Sequence, residues 1–547
     1  MAGFALTHLS ADSLGLEPWA RAALAGRPRP RNLPGMILPD SLDAMPRLAS
    51  SGKGFDEDAR AALSHTLEAN LTSRESHVHV IESVRALKHP DAALVVVGQQ
   101  PGFLGGPLYN VYKAVHVIRL ARALSETWGT PVLPAFWNHA DDHDVAEVHH
   151  LWVTNANLDL RKVALAGMSS GRTPLSELVL EEGTHRLGAI AELLRQTLPE
   201  SASRDQAIDL FLPKNGETLA GAFTRVLLEL FGARGLIVIE PEWIREPLSR
   251  SLAQIVSSDV AELLERGGAA LEAAGSRPAI DARTAALLFR LEGGKRRALR
   301  LAPEGFRYDG EEGSRTGVEL AAEILQEPSV WSPGALLRPI VQDRTLPVVA
   351  YVGGWGELAY HAQLPPLRDG TRTARTAFVP RLSATLIDPP TLESLRKLEL
   401  DVGEVLAARG RLGEDAPSAA ESEVAARLRG IAGALKKELL GEQAALALVD
   451  RGLAQQLKKV ADQSQALVEK LAQKADRVEA NAGGRGRRHL RRLNNSLFPR
   501  ESPQERVIGA LEIVARHGTA WIDRLENEIE PLPTEHLVVT LETGDGR

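Results

Sequence analysis

Residues 93–126 read ALVVVGQQPGFLGGPLYNVYKAVHVIRLARALSE, and this stretch decides the fold. ALVVVG, 93–98, is a compact β-branched run ending at glycine, the pattern of a strand buried in a parallel sheet. GQQPGFLGGP, 98–107, is a glycine-rich turn, and LYNVYKAVHVIRLARALSE, 108–126, has apolar residues at helical spacing. PVLPAFW, 131–137, and HHLWVTN, 149–155, are the next two strand candidates. Strand, glycine turn, helix and strand in that order open a doubly wound α/β domain. In such sheets ligands sit beyond the carboxyl ends of the strands. The two most polar stretches, 98–110 and 138–150, fall there.

Further strands are expected at GLIVIEP, 235–241, LPVVAYVGG, 346–354, AFVPR, 377–381, and HLVVTLE, 536–542. The segments 160–230 and 270–335 are too long for simple crossovers and read as inserted subdomains, with a small β element at 291–310. Residues 55–88 look helical, whereas GRPRPRNLPG, 26–35, reads as extended chain because proline disfavours helix. From about 390 apolar residues step by three and four: Leu395, Leu398, Val402 and Val405. After a break at 408–420 the stepping resumes at Val424, Leu428, Ile431 and Leu435 and runs on to Val478. This is a helical hairpin or coiled coil whose seam must be covered, by a second copy of the chain or by its own return helix. NAGGRGRRHLRRLNN, 481–495, is a basic block, read as a solvated helix end with phosphate contact as the alternative. The expected organisation is an N-terminal segment, 1–90, packed on an α/β core, 91–388. A coiled coil, 389–490, follows, and then a segment, 491–547, that returns to the core.

Composition narrows the function. The 547 residues suggest about three or four domains. The chain is 44% hydrophobic and 25% charged, as soluble globular proteins are. No cysteine is present, which excludes disulfides, thiolate metal sites and a cysteine nucleophile. A net charge of −7 argues against a nucleic-acid-coating protein. No apolar run reaches about 18 residues and the N-terminus lacks a secretory pattern, so a cytoplasmic protein without membrane spans is expected. There is no GxxxxGK[ST], no GxGxxG after a strand, no HExxH and no GxSxG.

Three blocks could carry chemistry. WNHADDHDVAEVHH, 137–150, gathers four of the fifteen histidines with Asp141, Asp142, Asp144 and Glu147. Clustered carboxylates and imidazoles suit proton transfer or metal binding, although the spacing matches no specific zinc pattern and leaves a metal open. The blander reading is a solvated loop that caps the next helix. In the turn 98–107, glycines allow close backbone approach, and the helix start offers N–H groups to an anion. Gln99, Gln100, Tyr109 and Lys113 accompany it. LLRPIVQDRTLPVVAYVGGWGELAYHAQL, 336–364, repeats the style with Arg338 and Gln342 before a strand and Gly354, Glu357 and Tyr360 after it. Arg381 is a further anion clamp. Four of the five tyrosines lie in these last two blocks, which favours a binding role.

Together GQQPGFLGGPLYNVYKA, PVLPAFWNHADDHDVAEVHHLWV, LLRPIVQDRTLPVVAYVGGWGELAYHAQL and LFPRESPQERV resemble the bacillithiol-biosynthesis cysteine-adding enzymes, in order from about residue 90 to the C-terminus. The resemblance implies a Rossmann-like, nucleotidyltransferase-type core with inserted subdomains and a C-terminal α-helical coiled coil that makes a homodimer. It implies a ligase that adds cysteine to the amine of glucosaminyl malate. A free carboxylate is a poor acylating agent, so ATP is the implied co-substrate, with magnesium as its companion. By position it carries Gln99, Gln100, Gly102, Tyr109 and Lys113 into the first pocket block. Asn138, Asp142, His143 and Asp144 enter the second, and Arg338, Gln342, Gly354, Glu357 and Tyr360 the third. Lys113 or Arg338 would balance developing negative charge, His143 or Asp142 would take the amine proton, and Arg338 and Arg381 would hold the malate carboxylates. Asp141-Asp142-His143-Asp144 stands where the family usually has Glu-Asp-His-Asp, and Gly354-Trp355-Gly356-Glu357 where it often has Gly-Pro-Gly-Glu. Two other readings remain at this point: a metal-dependent hydrolase built on the His/Asp block, and a non-enzymatic coiled-coil dimer that binds a nucleotide.

Overall fold

The computed structural model describes residues 4–9, 33–48, 55–168, 171–413, 423–482 and 485–541. Most of the extended segment read at 26–35, and 414–420 of the break in the heptads, lie outside them. Two compact units emerge, 1–389 with 502–547, and 390–501.

The first unit is built on five parallel strands: β1 Ala93–Gln99, β2 Val132–Asn138, β3 Ile237–Ile239, β4 Val348–Gly353 and β5 Ala377–Pro380. Their order is β5-β4-β1-β2-β3. The chain steps outward from β1 through β2 to β3, then returns to the other side of β1 for β4 and β5. The strand order therefore reverses between β1 and β4, the switch point where doubly wound sheets bind ligands. The register pairs Val97 with Val352 there. The β1 run 93–98 is buried throughout, because helices cover both faces of a parallel sheet. The Tyr109–Trp128 helix that follows β1 ends at Gly129, which adopts a φ of +68° and donates its N–H to Ser125 O.

HHLWVTN behaves differently from its expected role as a third core strand. His150–Thr154 pairs antiparallel with Leu160–Ala164 in a separate two-stranded hairpin. Its burial alternates, so it has one covered face and not the two a core strand needs. The long connection after β3 carries the four-stranded antiparallel sheet of Trp331–Pro333, Leu288–Glu292, Lys295–Ala302 and Gly305–Tyr308. The C-terminal strand His536–Leu541 lies between Phe4–Leu9 and Ala384–Ile387 in a small sheet of its own.

Buried polar bonds hold the returning C-terminal segment to this unit. Glu505 accepts from Arg381 Nη2 at 2.5 Å and from Ala384 N at 3.1 Å. Gln504 brackets Leu386, accepting from its N–H and donating to its carbonyl, both at 2.8 Å.

In the second unit, Glu423–Gly441 and Arg451–Ala482 form an antiparallel helix pair. Arg429 reaches Glu469 and Asp476, and Lys436 reaches Asp462. The pair closes on alanines: Ala425, Ala432, Ala454, Ala461 and Ala472 are buried. The larger apolar residues that define the heptads face outward instead, with Ile431 63% and Leu467 68% exposed. Small side chains let the two helices approach closely, and this turns the Leu/Ile/Val stripe away from the pair. Residues 485–495 of the basic block lie on the Arg485–Leu497 helix, where His489 shares a hydrogen bond with Ser394. Among the described residues no helix is long and apolar enough to cross a membrane.

Burial alone would raise the Glu505 carboxyl, but Arg381 outweighs it and holds the group below the ordinary carboxylate range. Glu505→Ala leaves the Arg381 guanidinium buried without its counter-charge, so urea denaturation is expected to show a loss of about 3–5 kcal/mol.

Candidate functional site

The carboxyl ends of β1 and β4 meet in one buried ion pair. Lys113, on the first turns of the helix after β1, places Nζ 2.7 Å from Glu357 Oε2, on the short Trp355–His361 helix after β4. The same ammonium donates to Gly98 O at 2.6 Å and Gln99 Oε1 at 2.8 Å, so all three of its protons have acceptors. Glu357 also accepts from Tyr351 Oη at 2.6 Å and from Gly354 N at 2.8 Å. Burial presses the Lys113 amine down to about 8 against the pull of Glu357. For Glu357 burial acts upward, but Lys113, Tyr351 and the Gly354 N–H overcome it and hold the carboxyl low. Gly98 is required by this crowding: a Cβ there would lie 2.5 Å from His139 Nε2 and 3.0 Å from Tyr351 Oη.

A cavity of about 570 Å³ opens above the pair. Arg338, Tyr360, Glu357 and Gly354 line it from the β4 side, and Gln99, Gln100, Tyr109 and Lys113 from the β1 side. Asp141, Asp142 and His143 line it from the loop after β2, and Phe289 and Arg296 come from the inserted antiparallel sheet. Its volume falls in the range of about 300–1,000 Å³ typical of ligand pockets.

Arg338 is buried and bonds only neutral groups, Tyr360 Oη at 2.6 Å and Gln342 Oε1 at 3.2 Å. A buried guanidinium without a carboxylate is a ready anion receptor. Arg381 is not available in the same way, because Glu505 and Leu382 O occupy its guanidinium. Asp142 stands at the entrance to the turn, accepting from Gln100 Nε2 at 2.7 Å and from the His143 N–H at 2.6 Å. Arg296 Nη1 lies 3.1 Å from His143 Nδ1. Arginine can only donate, so Nδ1 accepts and the neutral ring carries its proton on Nε2. Burial and then Arg296 lower the His143 pKa. Asp141 is taken by Arg245, whose Nη1 donates at 2.8 Å.

Eleven of the residues singled out in the sequence therefore share one cavity. Four lie elsewhere. Asn138 is buried and donates to Ala220 O and Thr224 Oγ1, and Gln342 is buried behind Arg338. Asp144 is exposed, with its N–H on Asp142 Oδ1. Gly102 lines a smaller neighbouring chamber. The helix start at 108–110 offers fewer free donors than expected, since Leu108 N donates to Ile508 O and Asn110 N to Pro107 O. Sequence reasoning missed His139, Phe289, Arg296 and Arg506 as lining residues. Arg506 lay within a quoted motif, whereas Arg296 sits in an insertion that carries no motif at all. Among the described residues no group of three or more His, Asp or Glu is arranged to hold a metal ion.

Two family models match the chain. Bacillithiol biosynthesis BshC, N-terminal Rossmann-like domain, matches residues 41–382. Bacillithiol biosynthesis BshC, C-terminal coiled-coil domain, matches residues 384–541. A Koribacter versatilis protein named "Putative cysteine ligase BshC" is 32% identical over 458 residues, covering 82% of this chain and 84% of the relative. Proteins of the same name from Solibacter usitatus and Geobacillus thermodenitrificans are 29% and 28% identical. They cover 90% and 88% of this chain and 92% and 90% of their own lengths.

With its pKa near 8, the Lys113 ammonium is held below that pH and lost as pH rises through it. Turnover at this site should therefore fall on the alkaline side of about pH 8. Lys113→Arg, whose guanidinium does not titrate there, should keep whatever activity it has to higher pH. A pH–rate profile of the two proteins checks this, and coincident alkaline limbs would refute it.

Proposed function

The chain belongs to the BshC family of bacillithiol biosynthesis, and we propose that it is a ligase joining the carboxyl group of cysteine to the amine of glucosaminyl malate. The observation that carries this reading is the buried Arg338, a cation without a carboxylate partner, set beside the Lys113–Glu357 pair at the switch point. That arrangement suits a substrate rich in carboxylates.

In the reaction a C–N bond forms, one carboxyl oxygen of cysteine departs and the amine gives up a proton. ATP, as co-substrate, would transfer a phosphoryl or adenylyl group to that oxygen, which then departs as part of phosphate or AMP when the amine attacks. The residues present fit the charge of ATP, since Arg296 reaches the cavity, bonds His143 and Ser332, and has no carboxylate partner among the described residues. Lys113 keeps its charge at neutral pH and would stabilise negative charge at the reacting carboxyl. Between the two bases considered from the sequence, Asp142 is the better assignment. His143 has its Nδ1 lone pair on Arg296 and presents a donor. The malate carboxylates fall to Arg338, since Arg381 is already neutralised by Glu505. A cytoplasmic location fits this chemistry, because cysteine stays reduced there.

We also propose that the chain is a homodimer through its helical hairpin. The outward stripe of Val424, Ile431, Leu435, Val460, Leu467 and Leu471 repeats along the hairpin and is exposed in a single chain. Such a stripe, flanked by charged residues, is what a second copy would cover.

Purified protein given cysteine, glucosaminyl malate and magnesium ATP should form the cysteinyl amide, detected by mass spectrometry, and omission of any one component should abolish it. Asp142→Asn should slow turnover about 10²–10⁴-fold with little change in folding. No amide with any component set, or full activity in Asp142→Asn, would overturn the corresponding assignment. Light scattering should give twice the chain mass, and Leu467→Glu with Leu471→Glu should halve it; a monomeric wild type would sink the dimer.

A further inference from the structure

A second chamber of about 240 Å³ adjoins the main cavity. It shares Gln99, Gln100, Tyr109 and Arg506 with that cavity, so these four form the common wall. Glu147, Val148, Leu151 and Trp152 line the small chamber alone. Its volume is below the roughly 300–1,000 Å³ of pockets for drug-sized ligands, so it suits a smaller molecule.

The chamber holds one free charge of each sign. Glu147 and Arg506 are both exposed, and among the described residues neither side chain has an ion-pair or hydrogen-bond partner. Both act on the Tyr109 hydroxyl. Burial pushes that group up to about 12, with Arg381 and Arg506 pulling it down and Glu357 and Glu147 pushing it up. A carboxylate and a guanidinium lining one small chamber, both left uncompensated by the protein, are complementary to a zwitterion. An ammonium on Glu147 and a carboxylate on Arg506 would satisfy both with charge-assisted hydrogen bonds.

We propose that this chamber is an α-amino-acid subsite, in which Glu147 binds the ammonium and Arg506, with the Tyr109 hydroxyl, binds the carboxylate. The placement sets the direction of the ligand. Glu147 lies in the small chamber only, whereas Arg506 and Tyr109 belong to both, so the carboxyl group sits at the junction and faces the cavity that holds Lys113 and Arg338. The side chain of the ligand meets the buried apolar faces of Val148 and Leu151, which suit a thiol, a small weakly polar group, better than a hydroxyl. That the amino acid is cysteine rests on the ligase reading; that the chamber takes an α-amino acid does not.

Calorimetric titration of the full chain, with and without a non-hydrolysable ATP analogue, tests the subsite. The probes are L-cysteine, 3-mercaptopropionate, which lacks the ammonium, and cysteamine, which lacks the carboxylate. Glu147→Gln should weaken cysteine about tenfold or more and leave 3-mercaptopropionate unchanged. Arg506→Gln should weaken cysteine and 3-mercaptopropionate to the same degree and leave cysteamine unchanged. L-serine should bind less tightly than cysteine to the wild type. Thermal melting of the variants confirms folding, which two exposed positions are expected to preserve. Wild-type affinity for cysteine in both variants would overturn the subsite. If the wild type binds no cysteine, the other common amino acids are titrated. One that binds with the same pattern in the variants keeps the subsite and refutes the cysteine reading, and binding of none refutes the subsite itself.

Discussion

The Lys113–Glu357 ion pair is the contact on which the candidate site depends. It ties the helix after β1 to the helix after β4 at the place where the strand order reverses. A buried ammonium is tolerated only when its protons are all accepted, and here Gly98 O, Gln99 and Glu357 accept them. Glu357 is fixed in turn by Tyr351 and the Gly354 N–H. Removing either partner would leave an uncompensated charge in the interior, so the pair orients Gln99, Tyr351 and the Gly354 turn together. The pair thereby fixes the floor of the cavity.

The remaining walls come from the loop after β2 and from the inserted sheet. The polar loop after β2 supplies Asp141, Asp142 and His143, and the antiparallel sheet supplies Arg296 and Phe289. Arg296 stands over Phe289, with 3.7 Å from its guanidinium carbon to the ring centroid, and the same ring meets His143 edge-on at 5.5 Å. This contact sets the tautomer of His143 from outside the core sheet. The insertion therefore does more than enlarge the domain: it decides which neighbour of the turn accepts protons and which donates them.

The helical hairpin solves a different problem. Its intramolecular seam uses alanine, which costs no side-chain entropy and lets helices approach closely. The larger apolar residues are then left on the outer face, with Arg429 and Lys436 pairing across the hairpin beside them. From the sequence those larger residues form a seam to be covered by a second copy or by the return helix, and the return helix leaves them exposed. Heptad spacing locates an apolar stripe but does not say which of two stripes on one helix meets which partner.

Much of the site was legible because it lies where chain order and strand order coincide. The run 93–98, the turn after it and the polar stretch after β2 follow the doubly wound pattern, so Gln99, Gln100, Tyr109, Lys113, Asp142 and His143 could be placed in one region by position alone. What tertiary structure decided was pairing. Asn138 and Gln342 turned out to be buried supports, and Arg381 was neutralised by Glu505, 124 residues further along. Arg296 entered the cavity from an insertion whose local sequence carries no sign of it. Local sequence determines periodicity, turn chemistry and the types of group at a strand end, because these depend on neighbouring residues. Whether a charge is spent or free depends on partners brought from hundreds of residues away, and only the folded chain sets those distances.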